Sequence, residues 1–170
     1  MVTPAKITFN ATDVFDPRAM QDFMRRPDIY WSASDALAPP PESMDFISYM
    51  LHPDIWTVAV TANGLICGYV LFNKRTSIGA EIHTGFHPQF RGKFAKTMIE
   101  FAIQRSFKEK GLVKLWAIVP SDNRATVWLA RSMEFRFEGR LRNAIVRRPE
   151  TEGGPPLRDL LIFGREREGL

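Results

Sequence analysis

The stretch Ala80–Phe94, AEIHTGFHPQFRGKF, reads as a strand, a turn and the start of a helix. An apolar, strand-like segment ends at His87-Pro88. A short turn, Gln89-Phe90-Arg91-Gly92-Lys93, follows. A helix-patterned segment then runs to about Lys110, with Phe94, Ala95, Met98, Ile99, Ala102 and Ile103 on one broad apolar face. The first N–H groups of a helix have no partner within it, and the helix dipole favours negative charge there. A basic, Gly-containing turn at that point makes an anion site, and a pyrophosphate suits it.

The segments on either side extend this unit. Gly111 is placed for a left-handed helix cap, and Leu112–Val119 is a nearly continuous apolar run, as in a strand inside a sheet. Upstream, Trp56–Thr61 and Leu65–Phe72 are β-rich and flank Asn63-Gly64, a hairpin turn signal. Ala80–Phe86 is the next strand, after a turn over Lys74–Gly79. Downstream, Asp122 or Asn123 caps a shorter helix that runs to about Met133. Phe135–Val146 and Leu157–Arg165 form a closing strand pair joined by the polar, Gly/Pro-rich loop Arg147–Pro156. The N-terminal third is mostly helical. Lys6–Phe9 reads as a strand, Asp16-Pro17 opens a helix to about Arg26, and Pro41-Glu42-Ser43 opens another through Leu51. Pro27 and Pro39-Pro40-Pro41 bracket a loop carrying Tyr30 and Trp31. The layout is mixed α/β (α+β), with a parallel strand–helix–strand crossover and helices on both faces of a central sheet. No repeat or second domain is evident, so residues 1–170 are read as one domain.

Composition narrows the function classes. The chain has 170 residues, 45% hydrophobic and 25% charged, which is ordinary for a folded domain. A net charge of +4 suits an anionic ligand but is too small to argue for nucleic acid. Cys67 is the single cysteine, which excludes an intrachain disulfide, and its setting LICGYVLF makes it a small core residue. With no N-terminal signal pattern and no long apolar run, the expectation is a cytoplasmic protein that does not enter membranes. No His/Cys/Asp/Glu spacing suggests a metal, and no Gly-x-Ser-x-Gly elbow is present.

Three motifs in this order resemble the GNAT superfamily of N-acetyltransferases, and the resemblance covers nearly the whole chain. His87-Pro88-Gln89-Phe90-Arg91-Gly92-Lys93 is similar to that family's phosphate loop, Gln/Arg-x-x-Gly-x-Gly/Ala. Gln89 and Gly92 match, while Phe94 stands where a small residue is expected and Ala95 follows it. Ser121-Asp122-Asn123-Arg124-Ala125 resembles the family's Asn-bearing helix start. Met133–Arg142, MEFRFEGRLR, with Arg158-Asp159 in the last strand, is similar to the branch that holds ribosomal-protein N-terminal acetyltransferases. Glu134 replaces that branch's usual Gly. Ala130 stands where many members carry a Tyr general acid, and Ile118 where some carry a Glu base.

The resemblance implies transfer of an acetyl group from acetyl-CoA to a primary amine by direct attack in a ternary complex. It implies contacts to the cosubstrate from Thr84, Gly85, Phe86, Arg91, Gly92, Lys93, Phe94, Ala95, Lys96 and Asn123, with no metal. The acceptor is a small-molecule or peptide amine, and the resemblance leaves room for a homodimer. Glu81 and His83, two residues apart and so on one strand face, are the candidates for proton transfer from the amine. Other members use a Glu early in this strand as base. The plainer readings are a strand-end carboxylate for Glu81, a structural histidine for His83, a turn residue for His87 and an N-cap for Asn123. Tyr30, Trp31 and Trp56 either line an acceptor pocket or pack beneath the Pro-rich loop. Two rival functions are an acyl-CoA-binding module without chemistry, and an RNA-binding domain using Arg136, Arg140, Arg142, Arg147, Arg148, Arg158, Arg165 and Arg167.

Overall fold

The computed structural model describes residues 7–34, 36–146 and 157–169. Along it run β1 (Phe9–Thr12), α1 (Pro17–Arg25), α2 (Pro27–Ala33), α3 (Phe46–Met50), β2 (Ile55–Ala62), β3 (Leu65–Lys74), β4 (Gly79–Phe86), α4 (Lys93–Glu109), β5 (Lys114–Pro120), α5 (Arg124–Ser132), β6 (Arg136–Val146) and β7 (Leu157–Glu166). The strands make one seven-stranded sheet in the order β1-β2-β3-β4-β5-β7-β6. Every neighbouring pair is antiparallel except β4 and β5, which are parallel and joined through α4. The expected crossover and the closing antiparallel pair are both present.

Two apolar layers hold the helices to the sheet. α4 turns Ala95, Ile99, Ala102, Ile103 and Phe107 onto Val58, Val70, Phe72, Ile82, Leu115 and Phe163, and Ala130 of α5 joins the same cluster. On the opposite face, Met20, Phe23 and Met24 of α1, Ile29 of α2 and Met50 of α3 cover Ala59, Tyr69 and Leu71. The strands between the helical layers are therefore apolar on both sides, which is why β3 and β5 lack a polar alternation.

The N-terminal third departs from the sequence reading. Pro27–Ala33 is a helix, not a loop. Pro27 sits at its first position, where the missing N–H costs nothing and the fixed φ favours entry. The helix expected from Pro41 is broken: Pro41–Ser43 is a single 3-10 turn, Met44 is extended, and Asp45 caps α3 by accepting from the Ser48 N–H at 3.0 Å. β1 lies later than expected, at Phe9–Thr12 against Ala59–Ala62. Lys6 and the loop 147–156 lie outside the described residues.

The end of α5 explains one departure from the family pattern. The Phe135 N–H reaches the Ala130 carbonyl at 3.1 Å and the Glu134 N–H reaches that of Arg131 at 3.1 Å, a Schellman cap. Its left-handed residue is Glu134, at φ 65. A non-glycine residue there costs about 1–2 kcal/mol. Glu134 recovers little, since its side chain is 75% exposed and 3.8 Å from Arg165. Glu134→Gly is therefore expected to raise stability by roughly 0.5 kcal/mol after the added entropy of the unfolded glycine. A higher urea midpoint at unchanged slope would register it.

Candidate active site

β4 and β5 pair only at Gly79–Glu81 against Lys114–Trp116. Beyond that point β4 continues to Phe86 along β3, and β5 continues to Pro120 along β7, with no pairing between them. The splay opens a cleft in the middle of the sheet. One part, about 310 Å³, lies between Glu81, His83, Ile118 and Ala130. A second part, about 270 Å³, runs on past Gly85 and Phe86 to Arg91, Gly92 and Ala95. Thr84, Asn123, Thr126 and Leu129 line both parts, so the cleft is continuous.

The outer end of the cleft is the N-terminus of α4. No side chain caps it, and its first intrahelical bond runs from the Lys96 N–H to the Gly92 carbonyl at 3.0 Å. The N–H groups of Lys93, Phe94 and Ala95 precede that bond. Gly92 has φ 77 and ψ −134, a conformation open to glycine and strained for any other residue. Open space surrounds the position a Cβ would take there. Lys93 is exposed and Lys96 half-buried at this end. The Arg91 side chain turns inward instead. Its Nε donates to the Phe86 carbonyl at 3.0 Å and its Nη2 to the Asp28 carbonyl at 3.1 Å, tying the turn to β4 and α2. Phe94 does not narrow the cleft, because its ring packs with Phe9, Phe86 and Phe90 in an aromatic cluster. A large residue is accommodated at the small-residue position because its side chain turns away from the cleft.

At the inner end, Glu81 and His83 share the face of β4 that carries Gly85, opposite Asn73, Leu71 and Tyr69 of β3. Glu81 is 13% exposed. Its Oε2 accepts from Arg75 Nη2 at 2.6 Å and Nε at 3.1 Å, and its Oε1 lies 3.4 Å from His83 Nε2. The His83 side chain is 41% exposed, yet its Nε2 is covered and has no closer partner. Burial pulls the His83 pKa below the usual histidine value. Glu81 opposes that shift and Arg75 adds to it. The imidazole is thus neutral at neutral pH, as a proton acceptor must be. Arg75 was invisible to the sequence reading, since it sits in the turn before β4 and meets Glu81 only because the strand returns beside it.

Asn123 caps α5, its Oδ1 accepting from the Thr126 N–H at 3.1 Å, while also lining the cleft. Ile118 and Ala130 face the same space, so the places of the family's usual base and acid are apolar. Trp128 is exposed at the outer end, not in the core. His87 stands at the turn after β4, near Phe90, and does not line the cleft. Trp56 stacks on Phe72 at 5.0 Å under Arg105 and Lys110, away from the cleft, whereas Tyr30 and Trp31 meet edge to face on α2. Cys67 is buried, and burial raises its thiol to about 11, which removes it as a nucleophile at neutral pH. Among the described residues no group of three His, Cys, Asp or Glu side chains gathers as metal ligands, and no helix is long and apolar enough to cross a membrane.

Comparison with known proteins bears on the family and the fold. Residues 20–135 match the model of the acetyltransferase (GNAT) family. An acetyltransferase of Photorhabdus laumondii is 29% identical over 108 residues, 62% of this chain and 74% of that protein. The spermidine N-acetyltransferase of Vibrio cholerae, solved with CoA and spermine, is similar in fold with a TM-score of 0.70 at 20% identity, covering 94% of this chain and 95% of that one. The ribosomal-protein-S5-alanine acetyltransferase of Vibrio fischeri is similar with a TM-score of 0.71 at 13% identity, covering 95% and 94%. The likenesses in fold span both kinds of acetyltransferase and do not single out one branch.

Proposed function

The chain belongs to the acetyltransferase (GNAT) family, and from that premise we propose that residues 1–170 form one domain that moves an acetyl group from acetyl-CoA to a primary amine by direct attack in a ternary complex. One observation carries the reading. β4 leaves β5 just after Glu81, and the cleft so formed joins an uncapped helix N-terminus to a neutral histidine. Acetyl-CoA fits those two ends: its pyrophosphate at the N–H groups of Lys93, Phe94 and Ala95, with Lys93 and Lys96 nearby, and its thioester toward Thr84–Phe86. Bound there, it supplies the activated acetyl group.

The residues divide the work. His83 takes the proton from the ammonium acceptor, which must be neutral to attack. The His83 Nε2 is covered, which leaves Nδ1 as the nitrogen that meets the amine. Arg75 fixes Glu81, and the Glu81 charge, 3.4 Å from Nε2, favours the imidazolium that forms when His83 takes up the proton. Backbone N–H groups on the freed edge of β4 polarise the thioester carbonyl. With Ala130 in place of a Tyr, the thiolate leaves without a dedicated acid, which its low basicity permits. The run 133–142 favours the ribosomal-protein branch as the nearest pattern, but Ala130 and Ile118 remove that branch's proton-transfer side chains, so its acceptor does not carry over. The arginine patch offers little to RNA: Arg140, Arg158 and Arg165 are paired with Asp159, Asp122 and Glu100, and Arg147 and Arg148 lie outside the described residues.

The test combines binding and turnover. Acetyl-CoA at a hundred times Kd should stabilise the fold by about 2.7 kcal/mol in thermal unfolding, and amine-dependent release of free CoA thiol should follow. Binding with no amine-dependent release would leave an acyl-CoA-binding module instead. Gly92→Val adds a side chain and strain where the phosphates would approach. It is expected to raise the acetyl-CoA Kd at least tenfold in a protein with an unchanged circular dichroism spectrum. An unaltered Kd in that folded variant removes the site.

A further inference from the structure

On the α1–α3 face of the sheet a separate chamber of about 200 Å³ abuts the cleft. Met24, Ile29, Phe46 and Leu71 supply apolar walls, and Tyr30, Tyr49 and Tyr69 supply aromatic ones. Tyr69 and His83 line both this chamber and the inner part of the cleft. The chamber therefore meets the acetyl-transfer space at the imidazole. Building on the function proposed above, we propose that this chamber is the acceptor site and that its ligand is a primary amine on a short chain from a compact, uncharged, aromatic-sized body, not a di- or polyamine.

The chemistry of the walls carries the choice. Among the described residues that line the chamber there is no Asp, Glu, Lys or Arg. The hydroxyl groups do not supply a negative charge. Tyr30 donates to the Pro39 carbonyl at 2.7 Å, and Tyr49 accepts from Asn73 at 3.2 Å. Tyr69 stays a neutral phenol, because burial pushes it up to about 12. The nearby carboxylate, Glu81, already holds the Arg75 guanidinium. A second ammonium in this chamber would lose its hydration and meet no counter-charge. An apolar ring meets matching walls, and the size agrees, since a dry cavity of about 150 Å³ accepts benzene. The amine nitrogen is then left at the inner end, beside His83.

Phenethylamine, spermidine and an alanine-initiated peptide, each assayed with saturating acetyl-CoA, test the proposal. Phenethylamine is expected to exceed spermidine in kcat/KM by at least 100-fold, with the difference mainly in KM. Tyr49→Glu, at the half-open rim, should lower the phenethylamine value at least tenfold and narrow its lead over spermidine. Equal or better turnover of spermidine or of the peptide overturns the acceptor class but leaves the acetyltransferase reading standing. Acetyl-CoA binding with none of the three acetylated overturns both. An unchanged amine preference in a folded Tyr49→Glu protein overturns the chamber as the acceptor site.

Discussion

His83→Ala is expected to lower kcat/KM for the accepted amine by about 10²–10³, with the acetyl-CoA Kd changed by less than about twofold. A positioned base contributes typically 10²–10⁴. The lower part of that range applies because water can reach a half-exposed ring and replace it in part. The Kd is spared because His83 sits at the inner end of the cleft, away from Gly92 and the α4 N-terminus. The pH profile gives an independent readout. Transfer needs the neutral imidazole, so the rate falls as pH drops through the His83 pKa. That pKa is lowered, by burial first, so the acidic limb should lie below the ordinary histidine value. Glu81 raises it and Arg75 lowers it. Glu81→Gln removes the raising partner and leaves the guanidinium, so the limb should move to still lower pH while kcat falls less than in His83→Ala. Wild-type rates in both variants would place the base elsewhere.

The sequence made the middle of the molecule legible because local signals there agree with tertiary demands. Asn63-Gly64 takes positive φ at both residues, as a tight hairpin requires, and Gly111 takes φ 66 just past α4. The apolar face of α4 is the face that packs on the sheet. The uncapped turn before α4, proposed above as the pyrophosphate site, could be read for the same reason: its chemistry lies in consecutive backbone groups. The N-terminal third was harder. Pro27 serves equally as a breaker and as the first residue of a helix, and only the packing of Ile29 against Met24 and Leu71 selects the helix. Of the chamber's lining only Tyr30 and His83 were named from the sequence, because its walls come from α1, α2, α3, β3 and β4, with no periodicity connecting them. That Glu81 and His83 share a strand face was legible from their spacing of two, but the contact of Arg75 with Glu81 was not. Nor could sequence tell that Phe94 would turn toward Phe9, a contact between residues far apart in the chain.

The largest effect on stability is expected from Glu100→Leu, a loss of about 3 kcal/mol. Arg165 is 8% exposed, and its two terminal nitrogens meet the two Glu100 oxygens at 2.7 and 2.9 Å. Nη1 also donates to the Met133 carbonyl at 3.1 Å, so the pair fastens α4, the end of α5 and β7 together. Removing the carboxylate leaves a buried cation facing one carbonyl, and a broken buried pair costs 3–5 kcal/mol. The low end applies because the Glu100 side chain is itself 36% exposed, so the pair is only partly removed from water. The double variant Glu100→Leu/Arg165→Leu should recover much of the loss, since two apolar groups leave no orphaned charge. Chemical denaturation of the four proteins gives the coupling energy directly, and additive losses would mean the pair is not a unit. The pH dependence has a fixed sign. Burial by itself would raise the Glu100 carboxyl, but hydrogen bonds from Arg165 and Gln104 and the Arg165 charge outweigh it and hold the group below its ordinary value. The pair's stabilisation is therefore complete above the unfolded carboxyl pKa and is lost as pH falls through the lower folded one. Wild type should lose stability across that acidic window and Glu100→Leu should lose less. Because the pair lies behind the cleft wall and not in it, kcat/KM of the single variant at a temperature where it remains folded should stay within about twofold of wild type.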